Sequence, residues 1–214
     1  GYVQADFHFG AQWEAVATAR YDYFSVGHHG RPTTKLTARY RNGAWTLRAS
    51  YGQGFRAPTL KEKYMNFFLN DIFIIRGHEQ LRPEVSHNWH VSADWSKGGT
   101  EVSSSVSYNR VLDRITTAEP TTERDGLSGL PFVDYINVPR LTVWNAQLCV
   151  NHRRRLGSGT LSGTFQYAFT HEQAPTVGTL TPYMPARPHS ATARLAYDRR
   201  FSPQYAVGVQ LSGR

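Results

Sequence analysis

The sequence predicts an all-β chain: part of an up-and-down antiparallel transmembrane β-barrel, about ten strands of a larger barrel with short periplasmic turns and long extracellular loops. Three observations carry that reading. Apolar and polar residues alternate with period two along most of the 214 residues, as strands with two unlike faces require. The connections are alternately short and long. The polar face is too hydrophilic for a packed core, so it suits a wet lumen or a plug.

In chain order, Val3 to Phe9 opens the series. Trp13, Ala15, Ala17, Ala19, Tyr21 and Tyr23 alternate with Glu14, Thr18, Arg20 and Asp22, with Val16 the exception. Leu36, Ala38 and Tyr40 alternate with Lys35, Thr37, Arg39 and Arg41. Trp45, Leu47, Ala49 and Tyr51 alternate with Thr46, Arg48 and Ser50, and His87 to Trp95 follows after a long gap. Val102, Val106 and Tyr108 alternate with Glu101, Ser103, Ser105, Ser107 and Asn109. Trp144, Ala146, Leu148 and Val150 alternate with Asn145, Gln147 and Asn151. Leu161, Phe165, Tyr167 and Phe169, then Ala191, Ala193, Leu195 and Tyr197, then Tyr205, Val207, Val209 and Leu211 complete the set. Each run is expected to reach roughly 9–11 residues, enough to cross a bilayer at a tilt, where a globular strand has about 5–6.

Gly10-Ala11-Gln12, Asn42-Gly43, Lys97-Gly98-Gly99, Gly157-Ser158-Gly159 and Phe201-Ser202-Pro203 are short connections. Asn-Gly marks a tight hairpin because both residues accept positive φ. The connections between them are long: Ser25 to Pro32, Gln53 to Val85, Asp113 to Arg140 and His171 to Pro188. A soluble sandwich has no reason to keep its long loops at one end, whereas a membrane barrel does. The first strand therefore runs downward.

Composition narrows the class. With 40% hydrophobic residues and a mean hydropathy of -0.50, no stretch approaches the roughly 20 apolar residues of a spanning helix. That excludes a helical membrane protein and leaves the barrel open. Aromatics reach 13%, with 12 Tyr and 5 Trp, which suits interfacial girdles. The net charge of +8 and pI of 9.8 raise nucleic-acid binding. However, the basic residues are scattered and only Arg153-Arg154-Arg155 cluster, at a tight turn, so no nucleic-acid partner is expected. Facing a lumen or lipopolysaccharide phosphates, the same charge attracts anions. Cys149 has no second cysteine to pair with and is expected as an inert, buried, lumen-facing thiol. The chain begins inside a strand at Tyr2 and stops just after another at Leu211, so residues 1–214 are read as a fragment.

Two boxes in the long fourth connection carry the chemistry: Gly54-Phe55-Arg56-Ala57-Pro58-Thr59-Leu60 and Gly77-His78-Glu79-Gln80-Leu81-Arg82-Pro83-Glu84. Pro58 and Pro83 lack an N–H and stop strand pairing, and each restrains the residue before it to extended backbone. Arg56 and Arg82 bind carboxylates or carbonyls, as loop clamps or as ligand contacts. Tyr64-Met65-Asn66-Phe67-Phe68-Leu69-Asn70-Asp71-Ile72-Phe73-Ile74-Ile75 is markedly apolar for an outer loop. It either packs on a neighbouring loop or forms a greasy ligand surface. An enzyme is not expected. His87 and His90 point to opposite faces of one strand, and no nucleophile elbow, carboxylate pair, H-E-x-x-H or C-x-x-C occurs.

The two boxes resemble those of TonB-dependent outer-membrane receptors, where a strand runs into F/Y-R-A-P and the loop returns through N-P-x-L-(K/R)-P-E. Ala19-Arg20-Tyr21-Asp22-Tyr23, Tyr135-Ile136-Asn137-Val138 and Pro182-Tyr183-Met184-Pro185-Ala186-Arg187-Pro188-His189 are similar to further family elements, in family order. The resemblance implies a barrel closing at about 22 strands in the outer membrane of a Gram-negative cell. It also implies a plug and further strands outside 1–214, and energy coupling to TonB through that plug. The expected partners are membrane lipid and lipopolysaccharide, a scarce bulky nutrient and a surface lipoprotein. The Tyr64-Met65-Asn66-Phe67 element resembles the haem- and cobalamin-type branch, so haem is favoured as cargo, with no intrinsic cofactor. Cobalamin, a ferric siderophore or a non-transporting adhesin barrel are the alternatives. In the second box His78 stands where the family has Asn, and Glu79 where it has Pro. His78 is the candidate axial ligand to haem iron, with Arg56 or Arg82 for the propionates and Phe67 and Phe68 for the ring. The pair His28-His29 is a second candidate.

Overall fold

A computed structural model of the chain describes residues 1–24, 29–173, 188–202 and 205–213. His28, the Pro182 to Arg187 part of the fourth family element and Pro203 of the last short turn lie outside them. Twelve strands and one short helix follow one another: β1 (Tyr2–Phe9), β2 (Trp13–Phe24), β3 (His29–Asn42), β4 (Trp45–Arg56), α1 (Leu60–Tyr64), β5 (Asn66–Leu69), β6 (Phe73–Arg76), β7 (Glu84–Lys97), β8 (Thr100–Thr117), β9 (Phe132–Leu156), β10 (Gly159–Gln173), β11 (His189–Arg200) and β12 (Ala206–Gly213). Ten of them form an antiparallel sheet in chain order, interrupted only where β5 and β6 leave the path between β4 and β7. The sheet is open, with β1 and β12 at its edges.

The register aligns the apolar positions across the sheet. One row reads Phe7, Ala15, Ala38, Ala49, Val91, Val106, Ala146 and Phe169, each the direct partner of the next. No protein layer covers this face among the described residues; Val91 is 59% and Val106 49% exposed. A uniform apolar sheet face of this size is untenable in water and natural against hydrocarbon. Aromatic rings bound it at both ends. Toward the short turns the Trp13 ring lies tilted against Tyr40 at 4.6 Å and Trp45 against Trp95 at 6.4 Å. Toward the loops Tyr51, Trp89, Tyr108 and Trp144 form a continuous row, with ring separations of 5.2, 5.3 and 4.5 Å. Trp45 to Tyr51 on β4 and Trp95 to Trp89 on β7 span equal intervals, roughly 20 Å of strand. The opposite face is polar: Glu14 pairs with Arg39 and Arg48 with Asp94.

Cys149 lies on that polar face but is half-buried, not buried. Its sulfur accepts from Asn151 Nδ2 at 3.7 Å and Gln166 Nε2 at 4.0 Å. At the short turns Gly43 (φ 54°) and Gly98 (φ 61°) adopt the left-handed backbone that Cβ disfavours.

The strands outrun their expected lengths toward the loop end. Half of the Asp113 to Arg140 connection is strand, since pairing continues from Arg114↔Val138 to Thr117↔Tyr135. Pro139, which cannot donate, opposes the left-handed Asp113 (φ 53°), so the ladder skips one rung without changing register. Polar residues beyond the apolar belt hide this extension from a periodicity reading. In the whole receptor, Ala49→Arg on the apolar row is expected to cost about 2–4 kcal/mol of barrel stability in lipid vesicles, with Ala49→Leu near neutral, measured by denaturant unfolding.

Candidate functional site

The buried apolar side chains are not in the sheet's apolar belt. Ile74, Ile75, Leu81, Ile115, Val133 and Leu141 cluster beyond its loop end, where the β4–β7 connection folds back on the tall β8–β9 hairpin.

The entry to the connection is built from local chemistry. β4 ends at Arg56, and buried Pro58 stops the ladder. Thr59 then caps α1 with a reciprocal pair of bonds: its Oγ1 accepts from Glu62 N at 3.2 Å, and Glu62 Oε2 accepts from Thr59 N at 2.7 Å. The same Glu62 carboxylate takes Arg56 Nη1 at 2.9 and 3.0 Å. Arg56 Nη2 donates to Glu84 Oε1 at 2.7 Å, and this oxygen also accepts from Ile115 N at 2.7 Å. Arg56 and Glu84 are cross-strand partners, so the register itself delivers the second carboxylate. One guanidinium thus joins the loop's entry, its helix, its exit and a neighbouring strand. Burial pushes the Glu62 carboxyl up, but bonds from the Thr59 amide, Arg56 and the Thr59 hydroxyl outweigh it and hold the group below its ordinary 4.5.

The exit is held by backbone mimicry. His78 N donates to Glu62 O at 2.9 Å. Asn137 Oδ1 accepts from Arg82 N at 2.8 Å, while its Nδ2 donates to Arg82 O at 2.9 Å and Asp113 O at 2.7 Å. The Asn137 amide therefore serves the second box as an adjacent strand would. Arg82 Nη2 meets Asp113 Oδ1 at 2.7 Å.

Between the boxes the apolar stretch forms a hairpin whose tip, Asn70 and Asp71, takes positive φ of 49° and 53°. β6 joins β9 in parallel, Ile74 to Phe132 and Arg76 to Asp134. Arg76 Nε reaches Asp134 Oδ1 at 2.6 Å, and its guanidinium lies 4.6 Å over the Phe132 ring. The expected packing on a neighbouring segment is seen for Ile74 and Ile75, which are buried beside β9, whereas Phe68 and Ile72 are each 60% exposed. Gly77 permits the closure, since a Cβ there would fall 2.8 Å from the backbone of Lys63 and Tyr64.

The candidates are distributed as follows. His78 is exposed at the hairpin's foot, and Phe68 is exposed on the hairpin. Phe67 is half-buried with Lys61 Nζ 4.0 Å from its ring centre. The Arg56 and Arg82 guanidinia both hold carboxylates. Phe55, Ala57, Pro58, Leu81, Pro83 and Glu84 form the clamped loop ends. His87 faces outward, its Nδ1 2.8 Å from Tyr51 Oη. Among the described residues no three His, Cys, Asp or Glu side chains converge to hold a metal ion. Sequence reasoning missed Glu62, Asp113 and the role of Asn137. The Thr59-x-x-Glu62 spacing was a legible capping signal; nothing local marks the other two.

Across residues 1–214 the sequence matches the family model described as TonB dependent receptor-like, beta-barrel. The fold is similar to that of the siderophore receptor PirA from Pseudomonas aeruginosa, with 15% identity and a TM-score of 0.66 over 99% of this chain and 36% of that one. It is also similar to the FrpB iron transporter from Neisseria meningitidis, with 14% identity and a TM-score of 0.65 over 99% of this chain and 32% of that one. The copper transporter OprC gives 14% identity and a TM-score of 0.62 over 98% and 34%. At these identities the likeness is one of fold, and this chain spans about a third of each structure's length. No curated protein matches the sequence. The haem- and cobalamin-type branch expected from Tyr64-Met65-Asn66-Phe67 gains no specific support, because these neighbours are siderophore, iron and copper proteins.

Asn137→Ala is expected to loosen the second box by roughly 1–3 kcal/mol, read as faster hydrogen exchange at the Arg82 amide in the whole receptor. The Glu62 contribution is complete above 4.5, its ordinary value, and is lost as pH falls through its lower folded value. Limited proteolysis of residues 54–85 should accelerate in that acid window, and Glu62→Gln should bring the acceleration to neutral pH.

Proposed function

This chain belongs to the TonB dependent receptor-like β-barrel family, and from that premise we propose that the whole protein carries a scarce, bulky metal complex across the outer membrane of a Gram-negative cell. The observation that carries the reading is the clamped β4–β7 connection. It is braced by Arg56 and Asn137 yet leaves Phe68 and Ile72 exposed. A greasy surface on a rigid mount is suited to a large planar or aromatic chelate. Energy coupling would come through a plug outside residues 1–214 and the TonB complex of the inner membrane.

A ferric siderophore is the first choice of cargo, since proteins of similar fold are named as siderophore and iron receptors. Haem is the second reading, favoured by the exposed His78, whose backbone N–H is fixed on Glu62 O at 2.9 Å. In both we assign contact to His78 and Phe68, and support of the contact surface to Arg56, Arg82 and Phe67. The two arginines already hold Glu62, Glu84 and Asp113, so a cargo carboxylate would have to displace a bound one.

Two measurements on the complete receptor test this. Cells should accumulate radioiron from a ferric siderophore in a TonB-dependent manner; binding without accumulation would instead support a surface adhesin. In an absorbance titration with haem, a Soret shift lost in His78→Ala supports iron coordination, and an unchanged affinity in that variant removes it.

A further inference from the structure

The outer wall of the barrel carries a feature that cargo binding does not use. Directly above the aromatic row Tyr51–Trp89–Tyr108–Trp144, the next outward row reads Gln53, His87, Arg110, Thr142 and Gln173, each the register partner of the next. One step higher, Arg140 stands opposite Leu112 and so diagonal to Arg110. His87, Arg110 and Arg140 thus share the face that carries the aromatic row.

Neither arginine has a counter-charge among the described residues. The arginines of the clamp, Arg56, Arg76 and Arg82, are all ion-paired, whereas among the described residues Arg110 and Arg140 enter no ion pair. Arg110 Nε is buried and has no hydrogen-bond partner among the described residues, an expensive arrangement unless an acceptor is supplied from outside them. The neighbouring carboxylates Glu84 and Asp113 occupy the alternate positions of β7 and β8 and are held on the other face by Arg56 and Arg82. The His87 Nδ1 bond to Tyr51 leaves Nε2 available. A row of Trp and Tyr marks the level of lipid headgroups, where phosphates are the abundant acceptors.

We infer that His87, Arg110 and Arg140 hold a phosphate of a phosphorylated glycolipid of the outer leaflet, the lipopolysaccharide of that membrane. A guanidinium fork and a phosphate match in charge and in bidentate geometry. This inference rests on the outer-membrane reading, with the loop end outermost.

The test uses the full-length receptor in lipid nanodiscs, with phosphorylated lipid A, its dephosphorylated counterpart and inorganic phosphate as probes. Retained lipid is counted by native mass spectrometry, and insertion is checked by heat-modifiable mobility. The wild type is expected to retain phosphorylated lipid A in preference to the dephosphorylated form. Arg110→Gln with Arg140→Gln should lower that retention by about tenfold or more, and the corresponding double Lys variant should keep part of it. Arg140→Gln alone, at an exposed side chain, serves if the double variant does not insert. Equal retention in wild type and variant, indifference to the lipid's phosphates, or full displacement by inorganic phosphate would overturn the proposal. A wild type that never inserts overturns the membrane reading beneath it; one that inserts but ignores phosphate overturns this inference alone.

Discussion

A strand that crosses hydrocarbon has no water for its N–H and C=O groups, so every one of them must be met by another strand. That constraint governs this chain. It explains why ten strands pair in simple chain order and why their register holds without slippage along β7, β8 and β9. With pairing fixed, period-two alternation places Ala49, Val91 and Val106 on one continuous apolar face and Arg48, Ser92 and Ser105 on the other. A slip of one residue would exchange the two faces.

The same constraint relocates the core. A sheet whose apolar side meets lipid cannot also bury it against protein, and the buried side chains are accordingly found in the outer loop cluster. There the chain meets water, and a long connection must be held by specific bonds. Arg56 does this with two carboxylates at 41% side-chain exposure, where the pairing energy of an ion pair is modest. Its value is geometric. It ties the loop's entry and helix to its exit and to β8, and Asn137 braces the second box without any charge. A loop so fixed presents its exposed residues in one arrangement, which would lower the ordering cost of binding the proposed cargo.

Charges are sorted by face. Toward the lumen and the mouth, Arg39, Arg48, Arg56, Arg76 and Arg82 all have carboxylate partners. Outward, above the aromatic row, Arg110 and Arg140 have none among the described residues. The 24 basic residues are therefore not equivalent. Those of the clamp are neutralised by carboxylates within the protein, whereas Arg110 and Arg140 contribute to the net excess of +8 on the outward face.

The sequence by itself determined the two-faced strands, the ends at which turns and loops gather, and the family to which the boxes belong. Alternation, Gly-containing turns such as Asn42-Gly43 and the Phe55-Arg56-Ala57-Pro58 stretch are local properties that survive reading one residue at a time. Only the tertiary structure decided the clamp and the extra height of β8 and β9. Arg56 meets Glu84 twenty-eight positions away, and Asn137 meets Arg82 fifty-five positions away; no periodicity reports such meetings. Above the membrane the strands lose the apolar half of their pattern, because both faces there meet water or a folded loop. The signal that announces a strand in lipid is absent where the candidate site is built.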